Sequence, residues 1–238
     1  MRLLLISNST NAGESYLAHC INDIKEFLGA EKKTALFIPY AAVTFSYDDY
    51  EAKVKENFQK IGHDAISIHR FDNPVEAVKN AEAIVVGGGN TFALTKKMQE
   101  QGLIEAIREK ALAGTPYIGW SAGSNVACPT IRTTNDMPIV EPESFNVFNL
   151  VKFQINPHYL DAHPDGHAGE TREMRIEEYL ELNRDIFVVG LREGTMLLIE
   201  NNSIKLIGKR DARIFKHNQS PLELKPSDDF SFLLNINA

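Results

Sequence analysis

Ser121 stands between two glycines in Gly119-Trp120-Ser121-Ala122-Gly123, a G-x-S-x-G pattern whose chemistry would be nucleophilic attack. Thr115 to Ile118 ahead of it reads as a buried strand, and Ser124-Asn125-Val126-Ala127 behind it can begin a helix. A sharp strand-to-helix turn needs glycine, which lacks the Cβ that would clash there. It holds the serine hydroxyl clear of the backbone and aims the Ala122 N–H where an oxyanion would form. The competing reading is a tight turn that contains serine by chance.

Acyl transfer at such a serine needs a base, an orienting acid and oxyanion donors. His158, in Asn156-Pro157-His158 at a predicted strand end, is the best base, able to take the Ser121 proton and return it to a leaving amine. Two carboxylates compete to orient it. Asp136 lies in an irregular stretch, whereas Glu193 follows a strand end and is flanked by Gly194. Strand ends hold geometry better than loops, which favours Glu193 and leaves Asp136 to line the pocket or bind a substrate amine. Spacing alone does not separate them. The Gly87-Gly88-Gly89-Asn90 turn offers bare N–H groups from Gly88 or Gly89 as the second oxyanion donor, with Asn90 as a substrate contact. The turn would also suit a phosphate, but it has neither a Walker lysine nor the G-x-G-x-x-G spacing. Arg132 and Arg172 are candidate carboxylate receptors. His163 and His167, with Asp161 and Asp165 near, raise a metal site, against which Pro164 and Gly166 break the helical ligand spacing.

These residues need a scaffold that converges their segments. Arg2–Ile6, Thr34–Ile38, Ala65–His69 and Ala83–Val86 read as buried strands. Helices alternate with them, one with Leu17, Ile21, Ile24 and Leu28 on a face, another capped by Ser46 and striped by Tyr50, Val54, Phe58 and Ile61. Asn73-Pro74 opens a third. Such alternation predicts an α/β fold, a mostly parallel sheet flanked by helices with ligands beyond the strands' carboxyl ends. Pro129–Phe148 has little periodicity and reads as a long loop over the site. Strands are expected at Val151–Ile155, Ile186–Gly190, Thr195–Ile199, Ser203–Ile207 and Arg213–His217, with a hairpin turn at Asn201-Asn202. A helix over Glu170–Leu182 would turn Met174, Ile176, Tyr179 and Leu180 inward. No linker or repeat divides residues 1–238, so one domain is expected.

The composition is that of an ordinary globular chain, 43% apolar and 24% charged. Its net charge of −7 argues against nucleic acid or an anionic membrane as partner. Cys20 and Cys128 make no metal or disulfide pattern, and Leu3–Ile6 is too short for a signal or membrane span, so a cytoplasmic protein is expected.

Five segments in order carry a resemblance: Gly87-Gly88-Gly89-Asn90-Thr91-Phe92, Ile118 to Gly123, Pro129 to Val140, Gln154 to His158 and Gly169-Glu170-Thr171-Arg172. Together they resemble the peptidase E family, the alpha-aspartyl dipeptidases, over about Leu3 to Gly194. The resemblance implies a cytoplasmic serine peptidase for dipeptides with N-terminal aspartate, without metal or cofactor, on a fold similar to class I glutamine amidotransferases (flavodoxin-like). It implies Ser121 as nucleophile, His158 as base and Arg172 as the holder of the substrate's aspartate side chain. It carries both Asp136 and Glu193 as the third member. Expected partners are small dipeptides, with a monomer or homodimer as the assembly. The rivals are a cyanophycinase-like peptidase and a nucleotide- or phosphate-binding module.

Overall fold

In the computed structural model, which describes residues 1–161 and 169–234, the apolar runs of the first half pair as parallel strands. β1 (Arg2–Ile6), β2 (Thr34–Ile38), β3 (Asp64–Ser67), β4 (Ala83–Val86) and β5 (Tyr117–Trp120) lie in the order β3-β2-β4-β5-β1. Their continuous apolar character follows from cover on both faces. Leu4 and Ile6 point toward α1 (Ile21–Leu28) and α2 (Tyr47–Lys60), into the core of Ile24, Phe27, Val54 and Phe58. Leu3 and Leu5 face the opposite core, which α3 (Pro74–Asn80), α4 (Thr91–Glu100) and α5 (Leu103–Leu112) complete through Val78, Leu94, Met98 and Ile107. The caps read from sequence form: Ser46 Oγ accepts from Asp49 N–H at 3.0 Å, and Asn73 Oδ1 from Glu76 N–H at 3.1 Å.

The second half divides between two sheets. β8 (Thr195–Glu200) and β9 (Ser203–Gly208) form a hairpin about Asn201 and Asn202, both at positive φ, and β8 pairs antiparallel with β1. They complete a seven-stranded sheet. β6 (Gln154–Tyr159), β7 (Val188–Arg192), β10 (Ala212–Phe215) and β11 (Leu222–Leu224) make a separate four-stranded sheet in the order β11-β10-β7-β6. The single expected sheet therefore has a companion. β7 and β8 are joined only by Glu193-Gly194, so the chain crosses between sheets there. Leu5 and Leu197 of one sheet share an apolar cluster with Ile155 and Val189 of the other.

Three local expectations need correction. The first helix begins at Ile21, because Leu17, at φ 58°, lies in a turn outside helical space. β6 does not stop before His158 but runs through it. Its pairing with β7 slips between Pro157 and Tyr159, and His158 sits in the bulge at φ 53°. In α7 (Arg172–Leu182), Ile176 and Leu180 are buried, while Met174 is turned to solvent. The 129–148 stretch is irregular as expected, with a lone bridge between Thr130 and Asn146.

Candidate active site

Ser121 follows β5 directly and caps the short helix α6 (Ala122–Asn125), with φ 54° and ψ −112°. That is strained ground for a residue with a side chain, and the surroundings hold it there. Its N–H donates to Ile6 O at 3.0 Å, and Ser124 Oγ reaches both Ile6 O (2.7 Å) and Gly119 O (2.8 Å). The flanking glycines are demanded by space. A Cβ at Gly119 would lie 2.3 Å from Gly123 O, and one at Gly123 would lie 2.1 Å from Val86 O. The Ala122 N–H, first of its helix, has no backbone acceptor among the described residues.

The β6 bulge swings the His158 ring between this serine and the inter-sheet turn. Nε2 is 3.0 Å from Ser121 Oγ, and Nδ1 is 2.7 Å from Glu193 Oε1. A carboxylate only accepts, so Nδ1 carries the proton and Nε2 presents its lone pair to the serine hydroxyl. Ser121, His158 and Glu193 thus form one hydrogen-bonded line.

Ser7 and Asn8, which the sequence did not single out, hold His158 and the Glu193 turn in place. Ser7 Oγ, fully buried, donates to Leu191 O at 2.7 Å and accepts the His158 N–H at 2.9 Å. Asn8 Oδ1 accepts the Gly194 N–H at 2.8 Å. Both lie just beyond the carboxyl end of β1, and that position was the available signal.

Asp136 is elsewhere. Its Oδ2 accepts from Thr91 N–H (2.7 Å), Thr91 Oγ1 (2.6 Å) and Thr134 Oγ1 (3.1 Å), at the amino end of α4. The competing assignment of Asp136 as the acid against His158 is therefore corrected: the bond belongs to Glu193. A carboxylate at a helix amino terminus answers unpaired N–H groups and the positive end of the helix dipole, which accounts for its place. Asn90, read as a substrate contact, has its side chain engaged within the fold. Its Oδ1 caps α4 at Ala93 N–H (3.0 Å), and its Nδ2 donates to Met137 O (2.9 Å), so the amide serves the fold. The loop that carries Asp136 and the end of α6 are both stitched to β6. Asn135 Nδ2 donates to Pro157 O at 2.6 Å, and Thr133 Oγ1 and Asn125 Nδ2 both donate to Ile155 O at 2.8 Å.

Arg172 opens α7 behind the Thr171 cap. Burial and the neighbouring Arg175 lower its guanidinium pKa, and Asp136 opposes them, which places the Asp136 charge within its electrostatic reach. Among the described residues no carboxylate is within ion-pair distance of Arg172. Arg132 lies over the Phe145 ring at 5.6 Å and shares a cavity of about 410 Å³ with Asp136, Thr134 and Phe92. Of the metal candidates, His163, Asp165 and His167 lie outside the described residues, and Asp161 is paired with Arg192. Asp48, Glu51 and His69 approach one another on α2 and the turn after β3, but Arg70 already pairs with both carboxylates at 2.5 and 2.7 Å. Among the described residues no helix is long and apolar enough to cross a membrane.

The model of peptidase family S51 matches residues 3–207. Peptidase E of Nostoc sp. is 57% identical over 233 residues, which cover 98% of this chain and 96% of that one. Peptidase E of Escherichia coli is 45% identical over 230 residues, 97% of this chain and all of that one. In fold, the chain is similar to the crystal structure of a peptidase from an acI-B1 Actinobacterium, with a TM-score of 0.70 at 20% identity over 97% of this chain and 96% of that one. The match reaches from β1 into β9 and so includes Ser121, His158 and Glu193, and by its extent and by these identities the chain belongs to peptidase family S51.

Proposed function

We propose that this peptidase is a serine dipeptidase that hydrolyses dipeptides with an N-terminal aspartate through an acyl-enzyme at Ser121. The observation that carries the reading is the His158 ring bridging Ser121 Oγ and Glu193 Oε1. As the Ser121 oxygen forms its bond to the aspartyl carbonyl carbon, His158 Nε2 takes the hydroxyl proton. Glu193 holds the Nδ1 proton in place and stabilises the imidazolium. The Ala122 N–H and one from the Gly88-Gly89 turn receive the oxyanion. His158 then passes the proton to the departing amine nitrogen as the C–N bond breaks. Water, deprotonated by the same nitrogen, cleaves the ester and returns Ser121.

Arg172, without a protein carboxylate of its own among the described residues, is the receptor for the substrate's β-carboxylate. Asp136 Oδ1, the oxygen that accepts none of the three bonds above, is the partner for the α-ammonium. Arg132 stands at the edge of the same region. A site with unpaired charge rejects substrates that cannot neutralise it. A cytoplasmic monomer or homodimer completes the proposal.

The test is hydrolysis of Asp-Leu, Leu-Leu and Ala-Asp-Leu by wild type and Ser121→Ala with a chelator present. Cleavage of Asp-Leu alone, unaffected by chelator and absent in the variant, is expected. Undiminished cleavage by Ser121→Ala would remove the serine mechanism, and cleavage of Ala-Asp-Leu would remove the dipeptide limit.

A further inference from the structure

Each glycine of the Gly87–Gly89 turn leaves room for a different neighbour. A Cβ at Gly87 would lie 2.7 Å from the Tyr50 hydroxyl oxygen, one at Gly88 3.1 Å from Ser121 Cβ, and one at Gly89 2.2 Å from Ala41 O. A side chain at Gly89 would meet backbone outright, one at Gly87 would displace the Tyr50 hydroxyl, and one at Gly88 would crowd Ser121 and Trp120. The peptide between Gly88 and Gly89 has no side chain on either flank. Such a peptide turns over easily, because concerted rotation about ψ of one glycine and φ of the next meets no Cβ. Turned one way it offers the Gly89 N–H to an oxyanion, and turned the other way it offers the Gly88 carbonyl oxygen, which repels it.

Tyr50 of α2 settles the orientation. Its hydroxyl donates to Gly88 O at 3.1 Å. The direction of that bond is not free, because Trp120 Nε1 approaches the same hydroxyl oxygen at 3.1 Å and an indole nitrogen only donates. The Tyr16 hydroxyl, 3.5 Å away, donates to that oxygen as well, so the one proton of Tyr50 is left for the carbonyl. Tyr50 is only 5% exposed and its ring packs edge-on against Phe37 at 4.8 Å, so the hydroxyl cannot follow a turned peptide. In a trans peptide the C=O and the next N–H point in opposite directions. With the Gly88 oxygen drawn to Tyr50, the Gly89 N–H is directed away from it. Gly87 N–H and Asn90 N–H are taken by Ile38 O and Ala41 O, while those of Gly88 and Gly89 have no backbone acceptor among the described residues.

We infer that Tyr50 is a positioning residue that locks the Gly88-Gly89 peptide with its N–H available to the oxyanion, through the relay Trp120 N–H to Tyr50 O–H to Gly88 O. Trp120 immediately precedes Ser121, so the relay ties the second oxyanion donor to the strand that carries the nucleophile. The inference rests on the acyl-transfer reading above, and Tyr50 itself touches no substrate.

The test is Tyr50→Phe, which keeps the ring and removes the proton. On Asp-Leu, kcat is expected to fall about 10- to 100-fold, with KM within about twofold. The aspartate analogue with boron in place of the α-carbonyl carbon bonds Ser121 as a tetrahedral adduct. Its affinity is expected to fall by the same factor as kcat. Calorimetric binding of Asp-Leu to Ser121→Ala is expected to be unchanged by adding Tyr50→Phe. A kcat within twofold of wild type, or equal loss of boronate and dipeptide affinity, overturns the inference. If Tyr50→Phe does not fold, Trp120→Phe, which lets the Tyr50 proton turn from Gly88 O toward the Tyr16 hydroxyl 3.5 Å away, decides it by the same split with a smaller kcat loss. An unchanged kcat there overturns it. Hydrolysis surviving in Ser121→Ala would overturn the acyl-transfer reading as well, whereas full activity in Tyr50→Phe beside an inert Ser121→Ala removes the Tyr50 relay alone.

Discussion

The two ends of the Ser121–His158–Glu193 line are held by opposite means. Ser121 stands in a turn built from neighbours in sequence, and glycines packed on backbone leave it no alternative conformation. His158 and Glu193 stand on a smaller sheet, at a bulge and a crossing turn, and side chains from the distant end of β1 fasten them. The Ser7 bond to His158 spans 151 residues, and that of Asn8 to Gly194 spans 186. One half is rigid by steric exclusion, the other by hydrogen bonds that can be removed singly. Damage to the first half should therefore be all-or-none, and damage to the second should be graded.

Gly123→Ala is the harshest probe of that contrast. Its methyl carbon would stand 2.1 Å from Val86 O, so either β4 or the elbow must move. No measurable hydrolysis and a large loss of soluble folded protein are expected. A variant with wild-type melting temperature and turnover would show that the elbow yields.

Glu193→Gln keeps the shape at the other half but no longer demands the Nδ1–H tautomer. A fall in kcat of about 10³- to 10⁴-fold is expected, with the fold retained. Asp136→Asn should lower kcat far less, by under about tenfold, and raise KM, because its carboxylate caps α4 and does not touch His158. Steady-state kinetics on the pair decides between them, and the reverse order would return the orienting role to Asp136. Ser7→Ala comes next. It leaves the His158 N–H and Leu191 O without their shared partner, at about 1–3 kcal/mol of stability. A roughly tenfold loss of kcat should accompany it, read by denaturant melts and turnover on the same preparation.

The smallest effect is electrostatic and belongs to the base side alone. Arg192, beside Glu193, pairs with Asp161 and with Glu223 of β11. Its hydrogen bonds hold both carboxyls below their ordinary range. A depressed carboxyl pKa adds stability that is complete above the unfolded value, near 4, and is lost as pH falls through the folded one. Arg192→Gln should therefore melt lower than wild type at neutral pH, with the two curves converging below about pH 4. A constant gap across that range would mean that Arg192 acts by packing.

The local half of the site was legible because its signals are local. G-x-S-x-G between an apolar run and a helix start describes a turn, and Ser46 and Asn73 announced the caps that form. Pro157 and the run before it placed a strand near His158, but nothing in the run announced the bulge that re-aims the ring. Asn90 looked like a ligand contact and Asp136 competed as the orienting acid, because short polar side chains serve helix termini as well as sites. Tyr50 looked like one member of an apolar stripe, and its ring is that; only its hydroxyl does something else.

By itself the sequence determined the alternating strands and helices, the elbow, and the serine, histidine and acidic candidates, since periodicity, capping and glycine placement act over a few residues. The tertiary structure alone decided that the later strands would divide between two sheets. It also decided that Glu193 would fall at their crossing against His158, and that Asp136 would be drawn to the end of α4. Those outcomes depend on pairings between residues 35 to 151 positions apart. An apolar run states that it will be buried, but the edge it joins is chosen by the partners the whole chain brings to it.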